Sequence, residues 1–157
     1  MICLMDDIDR KILACLQQDA TLPLAEVASR VGISASPCWR RIQRLEAAGI
    51  IRARVALLDA EAMRVGVTVF VSIRAGRHSM EWAENFTRAV SALPEVVELH
   101  RMSGSVDYLL RVVVPDIAAY DAVYKRLIAM ADLRDVTSSF SMERIKYTTA
   151  LPVNYAP

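Results

Sequence analysis

The run from Gly32 to Gly49 constrains the fold most, because it carries its own start and stop signals for a helix. Ser34 is a hydroxyl N-cap candidate, Pro37 falls in the first turn, and Gly49 is a terminator able to adopt a left-handed backbone. At about 100° per residue, Cys38, Ile42 and Leu45 lie on one narrow apolar face. Ser36, Arg40, Gln43 and Ala47 lie opposite, flanked by Trp39 and Arg44. That outward face is short, cationic and hydrogen-bonding, and its small residues let the helix axis approach a partner closely. The major groove of B-form DNA admits such a helix, and Arg and Gln read base edges there. A helix with three arginines is also an ordinary solvated face, so the segment before it has to decide. Leu24, Val27, Ala28 and Val31 give a second short helix an apolar stripe. Two short helices around a glycine turn are the helix-turn-helix signature.

Charge supports DNA binding by its position, not its amount. The formal net charge is only +1, so the surface as a whole has no strong pull on nucleic acid. Between Ser36 and Arg54, however, Arg40, Arg41, Arg44, Arg52 and Arg54 face a single acid, Glu46. From Glu61 onward, eleven basic residues balance eleven acidic ones. Positive charge is therefore gathered around the reading helix, as a local phosphate footprint requires.

Several classes are excluded. With 54% hydrophobic and 24% charged residues, the chain has the composition of a globular protein, not a disordered one. No apolar run reaches the ~18 residues of a membrane span. The opening Met1-Ile2-Cys3-Leu4-Met5 runs at once into acids, unlike a signal peptide, so a cytoplasmic location with no membrane partner is expected. Cys3, Cys15 and Cys38 have no paired spacing, which argues against disulfides or zinc, and Cys15 and Cys38 read as packed thiols. His78 and His100 stand about twenty residues apart with no nucleophile motif, phosphate loop or metal-ligand spacing. No catalytic residue, metal or cofactor is expected, and the chain is not read as an enzyme.

Along the chain, Asp6 and Asp9 form a capping-box-like start to a first helix striped by Ile8, Ile12, Cys15 and Leu16. Residues 50–59 are β-rich and fit a strand or hairpin edge leaving this small domain, with a hinge at residues 60–65. From Gly66 the period changes. Val67, Val69, Val71 and Ile73 alternate with polar or aromatic residues as a strand does. A helix from Ser79 carries Trp82, Phe86, Ala89, Val90 and Leu93 on one side. Strands at residues 96–102 and 107–114 flank a Gly104-Ser105 turn. A helix opened by Pro115-Asp116 carries Ile117, Tyr120, Tyr124, Leu127, Ile128 and Ala131, and residues 136–147 give a last strand. The order βαββαβ is that of a ferredoxin-like split βαβ sandwich. The fold expected is α+β: a winged-type helix-turn-helix (residues 1–50), a strand and hinge (51–65), and a ferredoxin-like domain (66–157). Its helix-free sheet face keeps apolar positions, so a dimer at least is expected. Thr137, Ser139, Ser141 and Glu143 alternate along the last strand, either as a wet face or as hydroxyl partners for a ligand's ammonium and carboxylate.

Three motifs carry a wider resemblance: Asp6-Asp7-Ile8-Asp9-Arg10-Lys11-Ile12-Leu13, Ser34-Ala35-Ser36-Pro37-Cys38-Trp39-Arg40-Arg41, and Gly104-Ser105-Val106-Asp107-Tyr108-Leu109. With this element order, the chain resembles the Lrp/AsnC family of feast/famine transcriptional regulators over nearly its whole length. Residues 77–82, 120–127 and 135–140, with Thr148-Thr149-Ala150-Leu151-Pro152, are similar to the branch that activates cysteine detoxification. The resemblance implies a small amino-acid effector, L-cysteine foremost, bound between subunits by Met102, Ser103, Gly104, Asp107, Tyr108, Thr137 and Ser139. A zwitterion needs an acceptor for its ammonium and donors for its carboxylate, which an aspartate, turn amides and hydroxyls supply. It also implies dimers that assemble further, to an octamer, on DNA. Two departures stand out. Ser105 follows Gly104 where the family often has Asp, and Pro23 stands where the second helix often has a serine cap, which leaves Thr21 as the only substitute.

The DNA-facing set is then Ser34, Ser36, Pro37, Trp39, Arg40, Arg41, Gln43, Arg44, Arg52 and Arg54. Arg40, Gln43 and Ser36 are assigned to bases and Trp39 to apolar contact. Arg41, Arg44, Arg52 and Arg54 are assigned to phosphates, which position a protein without reading sequence. A dimer would put two reading helices roughly 34 Å apart on a pseudo-palindromic double-stranded site. The rival reading is an architectural, weakly selective DNA binder with no ligand response.

Overall fold

A computed structural model describes residues 5–76, 79–130 and 132–156. Expectations for Cys3, His78, Ala131 and the opening residues 1–4 lie outside that range. The chain forms two compact units, residues 5–56 with 146–156, and residues 57–145.

The first unit holds α1 (Asp7–Gln18), α2 (Leu24–Val31) and α3 (Ala35–Ala47). The Asp9 N–H donates to Asp6 Oδ1 at 2.9 Å and the Asp6 N–H to Asp9 Oδ2 at 3.3 Å, a reciprocal capping box that satisfies two otherwise orphaned amides. Helices α2 and α3 both stop on left-handed glycines, Gly32 (φ 76°) and Gly49 (φ 71°). Each end closes as a Schellman motif, with the Ile33 N–H donating to Ala28 O and the Ile50 N–H to Leu45 O, both at 3.0 Å. The apolar faces meet as their spacing requires: Ile12, Leu13, Val27, Ala28, Val31, Cys38, Ile42 and Leu45 form one buried cluster.

Three local expectations change. Ser34 takes the extended N-cap backbone, but its hydroxyl makes no cap bond. Thr21 bonds Asp19 and leaves the start of α2 at Pro23 without a side-chain cap. Residues 51–59 contain no strand, so no wing forms in this unit among the described residues. A β-rich segment becomes a strand only when a neighbour pairs with its backbone. Val55, Leu57 and Leu58 are left exposed.

Residues 146–156, expected in the second domain, belong to the first unit instead. A 3₁₀ turn (Val153–Tyr155) follows an extended tail beside α1. The Gln17 amide clamps the Leu151 backbone, accepting from its N–H at 2.6 Å and donating to its carbonyl at 3.0 Å. Arg10 donates to Ala156 O at 3.0 Å.

The second unit is a four-stranded antiparallel sheet with two helices: β1 (Val67–Ala75), α4 (Met80–Ser91), β2 (Val96–Arg101), β3 (Tyr108–Val114), α5 (Ile117–Met130) and β4 (Leu133–Phe140). The strand order β2-β3-β1-β4 is that of the ferredoxin-like fold. Alternation sends Val69, Val71 and Ile73 of β1 and Tyr108, Leu110, Val112 and Val114 of β3 toward one side. There they are buried with Phe86 and Val90 of α4 and Tyr120, Val123 and Leu127 of α5. The helix-free side carries Phe70 and Ser72 opposite Ser139 and Thr137, with Leu109 and Arg111 on the next strand. Strand β4 begins and ends earlier than residues 136–147. Ser141 and Glu143 lie beyond its last ladder position, and the residues that follow leave the sheet.

Candidate nucleic-acid interface

Helix α3 presents an outward face of Ser36, Trp39, Arg40 and Gln43, all exposed, with Trp39 at 54% of its free surface. Burial of Cys38, Ile42 and Leu45 on the reverse side sets this orientation. Pro37 is half-buried in the first turn, where an amide has no intrahelical partner to lose. An open cleft of about 370 Å³ lies at this end of α3, lined by Leu24, Ala35, Ser36, Trp39 and Arg40.

The five arginines of this region do not share one role. Arg41 Nη1 donates to Asp6 Oδ2 at 2.7 Å and to Asp9 Oδ1 at 2.8 Å, and Arg44 Nη2 pairs with the second Asp9 oxygen. Asp9 is fully buried. A carboxylate there is tolerated because two guanidinium groups replace its hydration. The assignment of Arg41 and Arg44 to phosphates is therefore corrected: they brace α3 against the start of α1, though half of the Arg44 side chain stays in solvent. The Asp9 amide and the Arg41 guanidinium hold the Asp6 carboxyl below its usual range. Arg54 pairs with Glu46 at 2.9 Å, and Gln43 also donates to Glu46 at 2.9 Å. These last contacts are exposed and worth only about 0–1 kcal/mol, so Gln43 and Arg54 can exchange them for a partner. Among the described residues, Arg40 and Arg52 have no ion-pair partner. Sequence spacing could not reveal the Asp9 brace, since its partners lie 32 and 35 residues away.

The effector set divides as well. The turn after β2 places Ser103 and Gly104 (φ 117°) in solvent, and Met102 is 40% exposed. Asp107 bonds the backbone twice: its carboxylate accepts the Ala75 N–H at 2.8 Å and its carbonyl accepts the Met102 N–H at 2.8 Å. These bonds give it a part in shaping the turn, beside the role of ammonium acceptor expected for it. Tyr108 is corrected. It faces the helices and packs on Phe86 with ring centroids 4.9 Å apart, because it is in phase with the buried positions of β3. Thr137 and Ser139 stand on the helix-free face of β4, and β1 separates that strand from β3. One chain therefore does not bring the seven residues together. Sequence reasoning missed an open cleft of about 490 Å³ where α5 meets β4, whose lining includes Tyr124, Asp132, Arg134 and Asp135. It offers both signs of charge, and no motif or spacing announced it.

Cys38 is fully buried, and burial pushes its thiol up, so it packs and does not react. Among the described residues no group of His, Cys, Asp and Glu could hold a metal, and no helix is long and apolar enough to cross a membrane.

Comparison with known proteins accounts for both units. Residues 5–46 match the AsnC-type helix-turn-helix domain and residues 68–151 match the Lrp/AsnC ligand binding domain. The DNA-binding transcriptional activator DecR of Escherichia coli is 51% identical over 96% of this chain and 99% of its own length. The glutamate uptake regulatory protein of Zymomonas mobilis is 48% identical over 98% of this chain and 93% of its own. The crystal structure of an AsnC family transcriptional regulator from Agrobacterium tumefaciens is 63% identical, with a TM-score of 0.94 over 96% of this chain and 99% of that one. A Neisseria meningitidis transcriptional regulator, solved as a complex with L-methionine, is 37% identical, with a TM-score of 0.92 over 97% and 99%. The chain belongs to the Lrp/AsnC family of transcriptional regulators.

Proposed function

We propose that this regulator binds a pseudo-palindromic DNA site through α3 and responds to a small amino acid, L-cysteine foremost, held between subunits. Lrp/AsnC proteins are regulators of transcription and not enzymes. The observation that carries the DNA-reading assignment is the exposed, unpaired Arg40 beside Ser36 and Trp39, while its neighbours Arg41 and Arg44 are tied down. Arg40 and Gln43 reach bases, and Arg52 with Arg54 hold phosphates.

The effector reading is supported by the match to a ligand binding domain and by the methionine complex of the Neisseria relative. Cysteine rests on the motif likeness alone. Because Gly104 and Thr137 are not neighbours within one chain, an effector site that uses both needs a second copy. The exposed Val55, Leu57 and Leu58 and the apolar positions of the helix-free sheet face give further reasons for a homodimer, with an octamer as the assembly proposed. A bound amino acid alters regulation only if it favours one arrangement of subunits over another.

The test is thermal stabilisation by each of the twenty amino acids, followed by a DNA footprint with any that stabilises. Cysteine should raise the melting temperature and change the footprint. Stabilisation by another amino acid would replace cysteine. Stabilisation by none would favour an architectural DNA binder.

A further inference from the structure

We propose that the cleft at the N-terminal end of α3 receives the 5-methyl group of a thymine, so that the helix reads a thymine beside the base addressed by Arg40. This rests on the assignment of α3 to the major groove and specifies what one part of it reads. The cleft joins both helices of the motif: Leu24 opens α2, while Ala35 and Trp39 belong to α3. Those three give the cleft a mainly apolar lining, which Ser36 and Arg40 complete. Trp39 leaves 54% of its surface in water at a place where the core does not require it.

Chemistry selects the occupant. In the major groove only thymine presents a methyl group, on C5, where cytosine and uracil carry a hydrogen. A methyl seated against Leu24 and Trp39 is buried from water, a gain that the C5 hydrogen of cytosine or uracil does not match. The unpaired cation of that lining complements the phosphates and guanine acceptors around such a base, so the charge favours duplex DNA over an apolar protein partner.

The test uses the full chain and a duplex that it selects from a random pool at one fixed salt concentration. Each thymine of the selected site is then replaced by uracil, which removes only the methyl and keeps base pairing. At one thymine position per half-site, uracil should weaken wild-type binding about three- to fivefold, the worth of one buried methyl. Trp39→Ala should bind the thymine and uracil duplexes equally, with circular dichroism checking that the fold is kept. Trp39→Phe should retain part of the difference. Arg40→Ala should lose selectivity at a neighbouring base while still sensing the methyl. The inference is overturned if no uracil position weakens the wild type, or if Trp39→Ala keeps the full penalty. If no sequence is enriched at all, the DNA-reading assignment fails and takes this inference with it. Enrichment without methyl sensitivity sinks the inference alone.

Discussion

Asp9 begins as half of a helix cap and ends as the point where two arginines of the reading helix are anchored. A carboxylate excluded from water is costly unless it is fully partnered, so Arg41 and Arg44 are drawn away from the groove-facing side. Asp9→Ala should lower stability by about 1–3 kcal/mol, since both freed arginines can still reach solvent; urea unfolding measures it, and a change within error would remove the brace. Asp6 adds a pH signature. Its folded pKa is depressed below the ordinary 3.8 by the Asp9 amide and Arg41, so its contribution is complete above about pH 3.8 and fades as pH falls below that. The stability gap between wild type and Asp6→Ala should therefore close on acidification through that window. A gap that widens instead would contradict the assignment. Only part of this was legible in the sequence. The capping spacing of Asp6 and Asp9 was visible, but pairing over more than thirty residues is a tertiary fact.

The helices were legible in position, because capping aspartates, left-handed glycines and a 3.6-residue apolar period act locally. Ile117 and Ile128 of the expected α5 stripe are nevertheless exposed, and Val123 is buried in their place. Cys38, Ile42 and Leu45 are buried as their phase requires. Strands fared less evenly. β1 and β3 are central; alternation identified β1 and a nearly continuous apolar run identified β3. Residues 50–59 had the composition of a strand and no partner, and the ending of β4 was overrun because Ser141 and Glu143 continue its alternation, whereas pairing with β1 ends at the Ser141 N–H, which donates to Thr68 O at 2.9 Å. The tail was missed for a related reason: no local signal says that residues 146–156 return to α1. The Gln17 clamp makes that docking testable. Gln17→Ala should release the tail and speed tryptic cleavage after Lys146 severalfold in limited proteolysis. Unchanged cleavage would mean that the clamp contributes nothing.

At the scale of the molecule, the likeness of the whole chain to Lrp/AsnC regulators was readable from three motifs and the element order. The proposed effector residues do not come together within one chain, because β1 separates β4 from β3. Phe70, 40% exposed at the centre of the helix-free sheet face, is where a second copy would press. Phe70→Glu should shift the protein toward monomers in light scattering, and an undisturbed assembly would place the subunit interface elsewhere. The central claim is that α3 reads base sequence with Arg40 while other cations only hold the backbone. Binding isotherms on a selected and a scrambled duplex, at one salt concentration, test it most directly. Arg40→Ala should cost roughly 1–3 kcal/mol on the selected duplex and leave the scrambled one nearly unchanged. Arg52→Ala should weaken both alike and flatten the salt dependence. Equal, unselective losses from the two substitutions would contradict the account.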